Sequence, residues 1–523
     1  MGSVIDATRL RAGRYLPRAT AWLSSIANRW LGLAVVGLGA ATALYGIGAK
    51  SLWHDEAFTA EMGRIDLLSA LRAIIDREAF NGLYYALMHP VLRLGEAEWW
   101  IRLPSAAFAI AAVYMVFLLI RRLFGVRPAV IAAVLIATNS FFVHYAQEAR
   151  AYSMALFGVV LATYLLVRAV EEPSRRRWFF YGLVAALSVF AHFLSAWVVL
   201  SHALSLFFCP RKLAKEHVAI AFITVGLLTL PLLGTAAGGD PMSRAFIERP
   251  TLNSLEPMAI HLTGGDSLRA REARLLLLMY LALMSVAVLR MVRRRYGKTN
   301  IMASWGRWML LGWLVVPVVG SFVTSAVVPT FIPRYLVVAV PPLAILCAIG
   351  VVDLGTRFIA SIALVGILLL NGMGLAAYYG GTYKEGENWR AAVGHIAEEA
   401  RKGDGAIFLS RYGRRPFQYY LRQHGGAGAE IIPIYPSAAW KDYRSALADL
   451  DVETTQRAAS ILSQGEPSYD RVWVVLLWRG FGTWHEDGRT VEKALEHSYQ
   501  LREDQSFGSA LRIQLYTNNS GAS

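Results

Sequence analysis

Two adjacent carboxylates, Asp55 and Glu56, stand in "SLWHDEAFTAEMG" at 51–63, behind Trp53 and His54 and just past a long apolar block. Acids there have two readings. They are solvated groups favouring the dipole of a helix start, or one is a general base that takes a proton from a hydroxyl about 2.6–3.2 Å away. Adjacent helical residues do not share a face, so Asp55 reads as the acid that faces a site, with His54 beside it, and Glu56 as the solvated one. A second acid, Glu148, sits in "FFVHYAQEARAYSM" with Gln147 and Arg150. Ionisable groups at membrane depth are costly unless paired, so Glu148 either ties helices together through an arginine or belongs to a site. In "VPTFIPRYLVVAVPP" Arg334 and Tyr335 begin an apolar run. Arg334 either snorkels to headgroups or grips phosphate oxygens with its guanidinium fork. Glu78, Asn81, Tyr84, Tyr85 and His89 can face the same cavity, with Arg102 of "WWIRLPSA" as a counter-charge. Two acids from separate segments and arginines at membrane height fit one substrate, a lipid-linked phosphate carrying a polar group. Arginines would hold the phosphate while a carboxylate acts on what is attached.

Such residues need a scaffold, and the composition names it. Of 523 residues 55% are hydrophobic and 17% charged, with a mean hydropathy of +0.41, against about a quarter charged in soluble domains. Eleven apolar spans are expected, at 30–49, 104–120, 128–143, 152–168, 178–190, 193–208, 218–234, 274–289, 308–328, 335–352 and 358–376. Arg9, Arg11, Arg14 and Arg18 precede the first span without a small-residue cleavage site, so that span reads as a retained anchor. The net charge of +15 is gathered at Arg121–Arg122, Arg175–Arg177, Arg211–Lys215 and Arg290–Arg295, between spans. That is the pattern of cytoplasmic loops rather than of a nucleic-acid surface. The segments 50–103, 144–151, 235–273 and 329–334 then fall on the opposite, outer side, with everything after about 376. Both flanks of 178–208 are basic, so the chain must turn back within it. Its 31 residues give about 46 Å of helix, short of the roughly 60 Å that two crossings need. A hairpin bending near "FAHFLSAW" is expected, with His192 at the floor of an outward-opening cavity.

After 376 the pattern is that of an α/β unit. "NWRAAVGHIAEEARKGD" and "FQYYLRQHGG" read as helices, "GAIFLS" and "RVWVVLLW" as buried strands. The chain divides accordingly into a basic N-terminus (1–29), an all-α polytopic domain (30–376) with a long first outer loop (50–103), and a small α/β external domain (377–523). No phosphate-binding loop, dinucleotide fingerprint or metal motif occurs, and "GDG" is a turn signal. Cys209 and Cys347 have no ligand-like spacing. An absence of internal repeats argues against a transporter built from duplicated halves.

"LWHDEAFTAE", "NGLYYALMHPVLRLGEAEWWIRLPSAAFA", "YAQEARAYSMAL" and "PRYLVVAVPPLAIL", in this order, resemble the bacterial GT-C membrane glycosyltransferases. The closest groups are the protein O-mannosyltransferase-like family and the aminoarabinose transferases that modify lipid A. The resemblance spans about 30–400. It implies inverting transfer of one sugar from a polyprenyl-monophosphate donor to a hydroxyl of a lipid, glycan or protein, at the outer face of a bacterial cytoplasmic membrane. The first Asp of the first outer loop, here Asp55, is then the base. Glu148 matches the second acid and orients the acceptor or holds the first loop through an arginine. Arg334 and Arg150 hold the phosphate, with Tyr335, Tyr84, Tyr85 and Asn81 as weaker partners. Many relatives carry His-Pro or Lys-Pro where this chain has Asn81–Gly82, and Glu78 aligns only loosely with their acid. No metal or other cofactor is implied. The alternative is a transporter or flippase of polyprenyl-linked glycans, with outer carboxylates as coupling-ion sites.

Overall fold

In lipid a backbone must satisfy its own hydrogen bonds, so apolar runs become helices. The structure, a computed structural model, describes residues 29–76, 81–237, 248–293, 301–381, 386–408, 413–424, 431–435, 469–477, 492–496 and 498–519. The basic segment before 29, Glu78, Arg294 and Arg295 lie outside the described residues.

Helix α1 (Arg29–Leu44) leads into the long first loop, which folds as α2 (His54–Met62), α3 (Leu67–Asp76) and α4 (Gly82–Leu92). Helix α5 (Glu98–Phe124) opens on Glu98 and closes on Arg121 and Arg122, the charge order that a helix dipole favours. It ends at Gly125, whose φ of 91° suits glycine. There follow α6 (Val126–Ala137), α7 (Ser140–Ala146), α8 (Tyr152–Glu171), α9 (Arg175–Ala191), α10 (Ser195–Leu206) and α11 (Lys215–Ala237). Next come α12 (Leu255–Thr263), α13 (Ala270–Arg293) and α14 (Ile301–Thr324), then a 3-10 turn (Pro333–Ala339) running into α15 (Val340–Asp353), and α16 (Arg357–Tyr379).

Each expected span finds a helix, but the helices are unequal. Among the described residues seven are long and apolar enough to cross a membrane. The span expected at 128–143 is not continuous, since α6 and α7 meet at 66°. The cause is Asn139, whose side chain accepts the Phe142 N–H at 2.9 Å and donates to the Leu262 carbonyl at 3.0 Å. It caps a new helix where the old one would have run on. The hairpin expected in 178–208 is present as α9 and α10, of 17 and 12 residues, broken at His192. Both of its ends return to the basic pole. There Arg122 pairs with Glu171, Arg211 donates to the Glu171 carbonyl, and Arg175 pairs with Glu216 at 2.9 Å.

The core sits around α15, in which every residue except Val352 is buried. At Gly350 a side-chain carbon would lie 2.0 Å from the Leu283 carbonyl oxygen, so α13 and α15 cross backbone to backbone. Small residues permit such crossings in membranes.

After α16 come α17 (Trp389–Glu399), β1 (Gly405–Phe408), α18 (Arg414–Gln423), β2 (Ile432–Tyr435), β3 (Arg471–Leu477), β4 (Tyr499–Ser506) and β5 (Leu511–Asn518). The sheet order is β2-β1-β3-β5-β4. Strand β1 lies parallel to β2 and β3, while β5 lies antiparallel to β3 and β4. All seven residues of β3 are buried, so the strand lacks the alternation of a one-faced sheet.

The crossing at Gly350 generates a test. Gly350→Ala adds helix propensity yet overpacks the contact, and should cost about 1–3 kcal/mol, seen as a lower Tm of the purified protein in detergent. An unchanged or raised Tm would show that α13 and α15 are free to separate.

Candidate active site

The first turn of α2 supplies two acids that point apart. Glu56 faces inward, 1% exposed, and forms a two-pronged ion pair with the equally buried Arg102 of α5, at 2.8 and 2.7 Å. The remaining Arg102 donors go to the carbonyls of Ile47, Lys50 and Ser51 at 2.8–3.1 Å. Glu56 also accepts the Ala149 N–H at 2.8 Å, and Thr59 donates to the Ala149 carbonyl at 3.0 Å. One buried pair thus joins the end of α1, the first loop, α5 and the segment between α7 and α8. The arginine tie expected of Glu148 is made by Glu56 instead.

Asp55, on the other face, keeps 20% of its side chain exposed. His54 Nε2 lies 2.6 Å from Oδ1, and Arg150 and Arg334 each reach within 4.0 Å of Oδ2. Burial pushes the Asp55 carboxyl up, but His54, Arg150 and Arg334 outweigh it and hold the group well below the usual carboxylate range. Arg150 is steadied by Tyr85, whose hydroxyl accepts from Nη1 at 2.6 Å. Arg334 stacks over the rings of Trp53 and Tyr335.

Beside this cluster lies a cavity of about 290 Å³, near the lower limit of ligand pockets (about 300 Å³). Trp53, Glu56, Arg102, Glu148 and Arg334 line it, and it continues past Lys50, Gln147, Tyr378 and Glu387. Burial pushes the Glu148 carboxyl up to about 8. The negative charges of Glu56 and Asp55 act in the same direction, and Arg150 and Arg334 offset them only in part.

Other expected residues stand further off. The Tyr84 hydroxyl is spent on Ser105 at 2.8 Å, which itself donates to the Arg150 carbonyl, so Tyr84 braces the site from behind. His192 is not on the cavity wall. It packs against the rings of Tyr335 and Tyr152, at 5.0 and 5.7 Å, because the break after α9 tucks it under the 3-10 turn. Asn81 stands before the first turn of α4 and does not line the cavity.

Lys50, Tyr378, Gln147 and Glu387 were not legible as wall residues. Lys50 rests over the Tyr378 ring at 3.3 Å, and Tyr378 donates to Gln147 at 3.1 Å. A lysine at the mouth of an apolar span, five residues before an acid pair, was the available signal. Nor did the sequence show how closely the C-terminal unit roofs the loop. Arg390 of α17 pairs with Glu98 and donates to the carbonyls of Gly48 and Ala49, while the Tyr420 hydroxyl of α18 accepts the Leu52 N–H at 2.6 Å. Among the described residues no three His, Cys, Asp or Glu side chains gather in a way that could hold a metal ion.

A family model for dolichyl-phosphate-mannose-protein mannosyltransferases matches residues 83–234, from α4 to α11. No curated protein matches the chain by sequence. Among solved structures it is similar to ArnT from Cupriavidus metallidurans in the apo state, with a TM-score of 0.58 and 12% identity, covering 95% of this chain and 98% of that one. The same ArnT bound to undecaprenyl phosphate gives a TM-score of 0.55 and 13% identity with the same coverage. AglB from Archaeoglobus fulgidus, in complex with an inhibitory peptide and a dolichol-phosphate, gives 0.51 and 10%, over 96% of this chain and 75% of that one. Identities this low speak for the fold. The chain therefore has the fold of ArnT, and over residues 83–234 its sequence matches the dolichyl-phosphate-mannose-protein mannosyltransferase family model.

Proposed function

We propose that this protein is an inverting glycosyltransferase that moves a single sugar from a polyprenyl-monophosphate donor to a hydroxyl acceptor at the outer face of the cytoplasmic membrane. One observation carries the reading. The Asp55 carboxylate stands 4.0 Å from two guanidinium groups, Arg150 and Arg334, beside a cavity at the loop-bearing end of the helices. Arginine forks match phosphate oxygens, and two proteins of this fold hold such lipids, ArnT undecaprenyl phosphate and AglB a dolichol-phosphate. The basic clusters at the opposite pole support the outer side.

The chemistry needs little more. An acceptor hydroxyl is a weak nucleophile, and Asp55, oriented by His54, takes its proton as the new bond forms. The polyprenyl phosphate leaves as an anion that requires no proton, so cationic groups suffice where glycosidases use a second carboxyl. The same arginines hold Asp55 ionised but weakly basic. A phosphate between them would draw their field away and strengthen the base once donor is bound. Direct displacement by one base inverts the anomeric carbon. The transporter alternative has less support, since the charged groups of the cavity gather at one end of the bundle.

Three outcomes test this. Asp55→Asn should lower transfer about 10²–10⁴-fold with only a modest loss of Tm, whereas Glu56→Gln should lower Tm further, because breaking a buried ion pair costs about 3–5 kcal/mol. Equal loss of Tm in both would place Asp55 in the scaffold. Arg150→Ala and Arg334→Ala should each weaken binding of polyprenyl phosphate by about 1.5–3 kcal/mol, ten- to over a hundredfold, and unaltered affinity would remove them from the clamp. Purified protein given a panel of polyprenyl-phosphate sugars together with a cell-envelope extract as the source of acceptor hydroxyls should release free polyprenyl phosphate at the same rate with and without chelator. A rate that collapses with chelator and returns with a divalent cation would contradict metal independence.

A further inference from the structure

The base and the clamp leave Glu148 without a task. Its side chain is 4% exposed and lies on the cavity wall beside Arg334 and Trp53. Its Oε2 is buried and has no hydrogen-bond partner among the described residues. A carboxylate so placed is costly, and such groups take up a proton rather than stay charged. The groups that face it sharpen the point. From α2 come Asp55 and Glu56, from the 3-10 turn Arg334, and from its own segment Arg150. Of the cations, Arg334 and Arg150 stand toward Asp55, and Arg102 is committed to Glu56. Lys50 and His144 line the same cavity.

A neutral carboxylic acid can do what a carboxylate cannot, which is to approach a phosphate and donate to it. Resting on the polyprenyl-phosphate reading, we propose that Glu148 is a donor-binding residue that works as the protonated acid, its carboxyl proton bonded to an oxygen of the donor phosphate beside Arg334. The bond strengthens as the sugar leaves and charge builds on that oxygen. The proton stays on Glu148, so no further acid or base is required. The two carboxyls then divide the labour by charge state, Asp55 ionised and Glu148 neutral, as happens where environments push paired groups apart.

The sign of the pH dependence follows. With a carboxyl that titrates at about 8, the binding-competent form is present below that pH and is lost as pH rises through it. Alkyl phosphates are already doubly ionised in this window, and arginine does not titrate. The affinity of the full-length protein for undecaprenyl phosphate, measured in detergent from pH 6.5 to 9.5, should fall about fivefold between pH 8 and 9. Glu148→Gln keeps an uncharged donor and should abolish that fall. Glu148→Ala should bind weakly at every pH without the alkaline limb. Any titration of Lys50, His144 or Asp55 would persist in both variants. Wild-type binding that is flat with pH would overturn the proposal, as would an alkaline fall that survives in Glu148→Gln. Wild-type protein that binds no undecaprenyl phosphate at any pH would instead refute the phosphate reading on which the proposal rests.

Discussion

The buried Glu56–Arg102 pair is the constraint on which the site depends. Removing two charges from water is expensive, and the cost is recovered only when geometry and further hydrogen bonds are satisfied. Here they are, through three main-chain carbonyls on Arg102 and the Ala149 N–H on Glu56. The carbonyls belong to the stretch 47–51 after α1, and the N–H to the segment between α7 and α8. The pair therefore fixes the first loop against α5 and the Glu148 segment at once, and Asp55, next along α2, has its direction set by a neighbour pointing the other way. A catalytic group on a loop is positioned well only when the loop is pinned.

Charge distribution completes the arrangement. Three acids share one small volume, each in a different electrostatic state. Glu56 is neutralised by a dedicated arginine, Asp55 is held ionised by His54, Arg150 and Arg334, and Glu148 is left against its fellow acids. Like-charged neighbours cannot all ionise in a low-dielectric cavity. The C-terminal unit adds a roof whose arginine and tyrosines seize the loop's backbone from above.

Much of this was legible in the sequence because lipid allows few options. Apolar blocks had to be helices, basic clusters had to share a pole, and the flanks of 178–208 forced a hairpin, as α9 and α10 show. What could not be read was pairing. Nothing in "HDE" and "QEAR" says which acid takes Arg102, since the choice depends on the crossing of α2 over α5. The 66° bend at Asn139 was equally hidden, because the asparagine's capping bonds run partly to Leu262, 123 residues away. Tyr84 read as a ligand and is a brace, a distinction made by Ser105 alone. The C-terminal helices were visible from their periodicity, but much of their grip on the loop rests on hydrogen bonds to its main chain, which carry no sequence mark.

The central claim is that Asp55 and its two arginines surround the place where the donor phosphate sits. A cryo-EM structure of the protein with undecaprenyl phosphate tests it directly. The account predicts phosphorus density between Arg150 and Arg334, within hydrogen-bonding distance of both guanidinium groups and adjacent to the Asp55 carboxylate. Density for the phosphate at another face of the bundle, with both arginines still turned toward Asp55, would contradict it.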